Sequence, residues 1–173
     1  GWCSEKGLGV KVDPNVTPKL SGDLGPTQYR AKKETLLWFY RERARRWKNS
    51  IPYPSLEEKS SYICNAAKGK CAVTAYGELL PCIEIREALG SLVENSFQEI
   101  WWAEQAKQWR QPRVEDIKNN PGMDLYQHCE HCPGMALHEH GDAMKLTKYS
   151  QVVAAVKKQV FEEFAKSLMK REN

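Results

Sequence analysis

Apolar residues recur at helical spacing in three stretches of the chain. From Thr27 to Lys48, Leu36, Leu37, Tyr40 and Ala44 fall on one face. From Ser96 to about Gln111, Phe97, Ile100 and Trp101 keep the same period together with Glu104 and Lys107; Ser96 with Glu99 forms a capping box, and Pro112 stops the run. From Ser150 to about Lys170 the stripe is strongest: Val152, Val153, Val156, Val160, Phe161, Phe164 and Leu168. Such a face is expected to pack on a core, with a partner helix as the minor reading. Shorter helical pieces are expected at Ser55–Lys59 and Val114–Asn119.

Strand signals are sparser. Lys70–Ala75 and Glu78–Ile85 are apolar runs on either side of Tyr76-Gly77, which reads as a two-residue hairpin turn with glycine second. Gly7–Asp13 reads as a short strand with Val10 and Val12 on one face, followed by a loop through Pro14, Pro18, Gly22, Gly25 and Pro26. Ile51–Pro54 breaks the first helix, Gly90–Asn95 reads as a connector, Asn119–Gly122 as a turn, and Cys129–Asp142 as an irregular segment rich in ligand-type residues. The pattern therefore predicts an α+β fold: a small antiparallel hairpin, flanking helices and a cysteine-rich loop. A lone strand at the start has no evident partner, so the chain is expected to be a piece of a longer parent.

Composition narrows the class. Of 173 residues, 41% are hydrophobic and 28% charged, which suits a soluble globular protein and not a disordered or fibrous one. No apolar run is long enough for a membrane span, and the start GWCSEKGLG lacks a signal-peptide pattern. The expectation is a cytoplasmic protein with no membrane partner. Net charge is 26 − 22 = +4, too weak a bias to imply nucleic acid. Arg41, Arg43, Arg45, Arg46 and Lys48 read as a solvated face that complements the helix dipole, ahead of a phosphate or nucleic-acid surface.

Six cysteines change the picture: Cys3, Cys64, Cys71, Cys82, Cys129 and Cys132. Without a secretion signal, and with enough apolar residues for a core, they read as metal ligands before disulfides. Cys129 and Cys132 form a Cys-x-x-Cys, a spacing shared by zinc and iron–sulfur sites. Cys71 and Cys82 lie on the predicted hairpin and Cys64 just before it, so the fold is expected to bring four or five thiolates to one point. Only one tight pair exists, and 46 residues separate it from Cys82, which favours a cluster over a zinc ribbon without closing the zinc alternative. A mixed zinc set of Cys129, Cys132, His138 and His140 is a further reading, since a strand would aim both histidines the same way. The alternative is that His128, His131, His138 and His140 are loop residues or hydrogen-bond donors near the cluster. A second metal at Glu139 and Asp142 has the least support.

The order Cys64, Gly77, Cys82 and then Cys129-x-x-Cys132, with twelve residues before the glycine and four after it, resembles the SPASM and twitch auxiliary cluster domains found C-terminal in radical S-adenosylmethionine (SAM) enzymes. CAVTAYGELLPCIEI resembles the family's hairpin, LGSLVENSFQEIWWAEQAKQWR its connector and helix, CPGMALHEHGD the segment after its last ligands, and GVKVDPNVTPKLSGDL the final strand and exit loop of a (β/α) partial barrel. The likeness covers most of residues 7–145.

The resemblance implies a division into 1–54 (barrel end and linker helix), 55–149 (cluster domain) and 150–173 (C-terminal helix). Full SPASM domains hold two clusters on seven cysteines. Five candidates remain here, Cys64, Cys71, Cys82, Cys129 and Cys132, which implies one 4Fe–4S cluster as in twitch domains. The twitch pattern assigns Cys64, Cys82, Cys129 and Cys132 as its ligands. Cys71 stays open between ligand and small hydrophobe, and Cys3 lies outside the pattern. The Cys-x-x-x-Cys-x-x-Cys loop for SAM and the catalytic cluster does not occur in the chain, so both are implied for an N-terminal barrel of the parent, the expected partner. Sulfatase-maturing relatives have an acid after the cysteine matching Cys82; here Ile83 follows, which argues against the same base-assisted oxidation. The implied function is electron transfer or substrate positioning in a peptide- or protein-modifying oxidoreductase. Trp101, Trp102 and Trp109 are read first as core and second as a peptide-docking surface.

Overall fold

The computed structural model describes residues 2–10, 12–19, 21–46 and 62–169. Along the chain these hold α1 (Trp2–Glu5), α2 (Lys33–Ala44), β1 (Ala72–Val73), β2 (Glu78–Leu80), β3 (Gly90–Ser91), α3 (Phe97–Trp102), α4 (Glu104–Arg110), α5 (Met123–Tyr126), α6 (Pro133–His140) and α7 (Lys148–Met169), with 3-10 turns at Gly25–Tyr29 and Val114–Asp116. The result is α+β, with one three-stranded antiparallel sheet among the described residues.

The strongest apolar stripe makes the longest helix. On α7, Val153, Val156 and Val160 are buried against Leu36, Tyr40 and Ala44 of α2, with Phe39, Tyr149 and Phe164 packed around them. Helix α2 is shorter than the expected Thr27–Lys48, because Arg30 and Lys32 are extended and separate it from the preceding 3-10 turn. Arg30 is occupied there: its Nε donates to the Val16 carbonyl at 2.8 Å, its guanidinium lies 4.7 Å from the Tyr149 ring centre, and NH2 meets Glu139 at 2.5 Å. The segment before it forms no strand in the described part of Gly7–Asp13; it is an extended loop, held at Pro14 by the Tyr149 hydroxyl at 3.1 Å. Ser55–Lys59 lies outside the described residues.

The hairpin forms, with a different turn. β1 pairs with β2 in the register Ala72↔Leu80 and Val73↔Leu79. Thr74 N–H donates to the Glu78 carbonyl at 3.0 Å, and Gly77 N–H to Thr74 at 3.1 Å. The loop therefore has three residues, Ala75, Tyr76 and Gly77, with Gly77 left-handed at φ +79°. A Cβ at Gly77 would also fall 2.9 Å from Val93 Cγ2. The expected connector supplies β3, antiparallel to β2 through Glu78↔Ser91 and Leu79↔Gly90.

The capping box at Ser96 and Glu99 is present in both directions. The helix it starts breaks at Ala103, whose ψ of 164° is extended. The break coincides with Arg110, whose guanidinium folds back onto the Trp101 carbonyl and donates to the Ala67 carbonyl at 2.5 Å. Leu79, Leu89, Ile100 and Ala106 are buried beneath, with Trp101 and Trp109 packed at the edge. Cys129–Asp142 is less irregular than expected, because Pro133 opens α6 and Gly141 ends it at φ +66°.

Candidate metal centre

Near the hairpin and α6, Cys82 neighbours both Cys64 and Cys132, while Cys129 packs with Tyr126 in an adjoining apolar cluster. Cys82 follows β2 in a bend closed by the bridge to Ile85, and is buried with Ala66 and Ile85, with Cys64 and Trp109 packed against them. The Cys64 strap is pinned to the hairpin by Ala67 N–H, which donates to the Pro81 carbonyl at 2.9 Å. Ala66 N–H donates to Cys64 Sγ at 3.3 Å. Burial pushes the Cys64 thiol above its usual range; that amide and Lys70 pull against it, and the neighbouring Cys82 adds to the rise.

Cys132 sits at the N-terminal cap of α6. Burial raises its thiol too, the Met135 and Gly134 amides oppose the rise, and the nearby Glu84 and Cys82 reinforce it. Cys82 thus lies within electrostatic reach of both Cys64 and Cys132. Cys129 is buried, and its Sγ makes a long contact, 4.0 Å, to the Ser150 carbonyl of α7. The buried Tyr126 phenol joins Cys129 to Cys64: burial pushes its pKa up to about 12, and both cysteines add to the shift.

Cys71 is exposed beside β1, and Cys3 is half-buried in α1. Neither belongs to the buried groups that hold Cys64, Cys82 and Cys129. All six are free thiols.

The histidines do not form the mixed zinc set. His138 and His140 stand on a helix, where two residues of separation turn them about 200° apart. His138 Nε2 donates to the Glu84 carbonyl at 2.9 Å, and His131 Nε2 to the Ala143 carbonyl at 2.8 Å. Glu139 and Asp142 are engaged as well, by Arg30 and Lys118. Among the described residues, no three His, Cys, Asp or Glu side chains stand close enough to hold a metal ion.

Three neighbours of the site carry no signal in the sequence. Gly134 lets α6 approach the hairpin: a Cβ there would fall 2.6 Å from Glu84 Cβ and 2.7 Å from its carbonyl oxygen. Glu84 Oε2, beside Cys132, is buried without a hydrogen-bond partner among the described residues. Lys157 of α7 is buried and paired to Glu130, between the two cysteines of the loop.

A donor set of soft thiols with backbone N–H groups directed at two of the sulfurs fits an iron–sulfur cluster. A single tetrahedral ion would need sulfurs about 3.8 Å apart, from bonds of about 2.3 Å; a cluster core spaces them more widely. The comparison with protein families agrees. Residues 64–133 match the model of SPASM, an iron–sulfur cluster-binding domain. Over that stretch the chain matches a SPASM domain, which supports an iron–sulfur cofactor. No curated protein and no solved structure matches the chain. Among the described residues, no helix is long and apolar enough to cross a membrane.

Proposed function

We propose that Cys64, Cys82, Cys129 and Cys132 hold one 4Fe–4S cluster, and that the chain is the auxiliary-cluster part of a radical SAM enzyme that modifies a peptide or protein. The observation that carries this reading is the place of Cys82, within reach of Cys64 on one side and Cys132 on the other. When bound, such a cluster supplies a one-electron relay. The chain's own residues hold the thiolates, direct the Ala66, Gly134 and Met135 amides at sulfur, and exclude water with Ile85, Trp109 and Tyr126. Four protein thiolates leave no iron open to substrate, which favours electron transfer over substrate ligation. Cys71 stays outside the ligand set, on the solvent side of the hairpin.

The parent's barrel is the proposed partner and would hold SAM and the catalytic cluster. The free thiols suit a reducing cytoplasm. Val73, Tyr76 and Ile83 are exposed around an open cavity of about 450 Å³ on the hairpin, a surface that suits an extended peptide. Trp109 and Trp101 belong to the packed core, and only Trp102 of the three tryptophans is largely exposed, beneath the Arg110 guanidinium.

Anaerobic reconstitution with iron and sulfide tests the reading. A brown protein with about four irons and four sulfides per chain is the expected product. A colourless protein that takes up only zinc would establish the zinc-stapled structural domain instead.

A further inference from the structure

Lys157 is the only lysine or arginine among the described buried residues; its side chain is 4% exposed. Its ammonium meets Glu130 Oε1 at 2.7 Å and lies 5.4 Å from the Tyr40 ring centre. Glu130 stands inside the cysteine loop, bonded directly to Cys129. Helix α7 reaches the same loop a second time at Ser150, whose carbonyl faces Cys129 Sγ at 4.0 Å. Ser150 and Lys157 are seven residues apart, two helical turns, so they present one face to the loop.

A buried ammonium is costly unless well paired. Glu130 pairs it incompletely, because 75% of that side chain is in water, where its charge is screened. The ammonium is far less exposed, and its partner is the residue bonded to Cys129, so a positive charge shielded from water stands one residue from that cysteine. An all-thiolate iron–sulfur cluster is anionic and becomes more so on reduction. We propose that Lys157 is a built-in counter-charge for the cluster and raises its reduction potential by stabilising the reduced form. This inference rests on the cluster reading above.

The test uses the full chain, reconstituted anaerobically, as wild type, K157M, K157R and E130Q. Iron and sulfide per chain are measured first, then the midpoint potential by redox titration followed by electron paramagnetic resonance. K157M is expected to shift negative. At the wild-type midpoint its ratio of reduced to oxidised cluster should fall about tenfold, the change that 59 mV makes in a one-electron couple. K157R should stay near wild type. E130Q keeps the side chain's shape and an amide oxygen that can still accept from the ammonium, so it gives a second reading if K157M does not fold; its midpoint should shift positive. Loaded variants with unmoved midpoints overturn the role of Lys157 while leaving the cluster in place. A wild type that takes up no iron and sulfide overturns the cluster reading itself.

Discussion

A methyl group at position 134 has no room. Two of the nearest atoms to a Cβ there are Glu84 backbone, at 2.7 and 2.9 Å, so the clash is relieved only by moving α6 or the bend that carries Cys82. Gly134→Ala is expected to cost about 1–3 kcal/mol, seen as a lower urea midpoint at unchanged slope. It should also reduce iron loading, because Cys82 and Cys132 flank the contact. Wild-type loading and an unchanged midpoint would show that the approach is looser than this. Arg30 and Glu139 make a second residue-scale case. Their side chains are 11% and 12% exposed, and Arg30 joins the loop at Val16 to α6 and to Tyr149. Arg30→Met should cost about 3 kcal/mol, since it strands a carboxylate. The double variant R30M/E139M should recover much of that loss, which chemical denaturation of the three proteins would reveal.

Between elements, the α2–α7 pair is held mainly by its apolar seam, and its charged edge adds a pH-dependent increment. The Arg41 guanidinium, followed by Gln159, holds the Glu163 carboxyl down to about 2 from an ordinary 4.5. A depressed carboxyl contributes stability above its unfolded-state value and loses it as pH falls toward the folded one. The advantage of wild type over E163Q should therefore be present at neutral pH, shrink below about pH 4.5 and vanish near pH 2. Both side chains are more than 40% exposed, so screening limits it to about 0.5 kcal/mol. Thermal melts across that range measure it; an advantage that persists at pH 2 would contradict the assignment. This is also the scale at which the sequence is most and least legible. A stripe such as Val153, Val156 and Val160 fixes α7 because burial repeats with the helical period. Gly90-Ser91 has no strand pattern of its own and becomes β3 only by pairing with Glu78 and Leu79. The break at Ala103 goes with a Trp101 carbonyl taken by the Arg110 guanidinium, a pairing that local periodicity does not encode. The cysteines announce themselves by type and spacing. Glu84, Gly134 and Lys157 do not, because each matters only through what the fold sets beside it.

For the whole molecule, the central question is which thiols bind the cofactor, and their positions predict a graded answer. Cys64, Cys82 and Cys132 are carried by the strap, the hairpin and α6, three pieces that meet only in the folded chain, and Cys129 is fixed through Tyr126 and α7. Loading the site should therefore join elements distant in sequence and stabilise the fold as a unit, since binding free energy adds to folding free energy when the unfolded chain has no formed site. Reconstituted protein should unfold at a higher urea concentration than the same protein stripped by a chelator. Serine at position 64, 82, 129 or 132 should remove most of the iron and most of this added stability. Serine at position 71 should leave both near wild type, because that side chain is exposed beside β1 and lies outside the buried groups that hold Cys64, Cys82 and Cys129. Measured as iron per chain and urea midpoint for the five single variants, a C71S protein that loses iron as fully as C82S would move the fourth ligand onto the hairpin. It would release one of the two loop cysteines, which C129S or C132S would identify by retaining its iron.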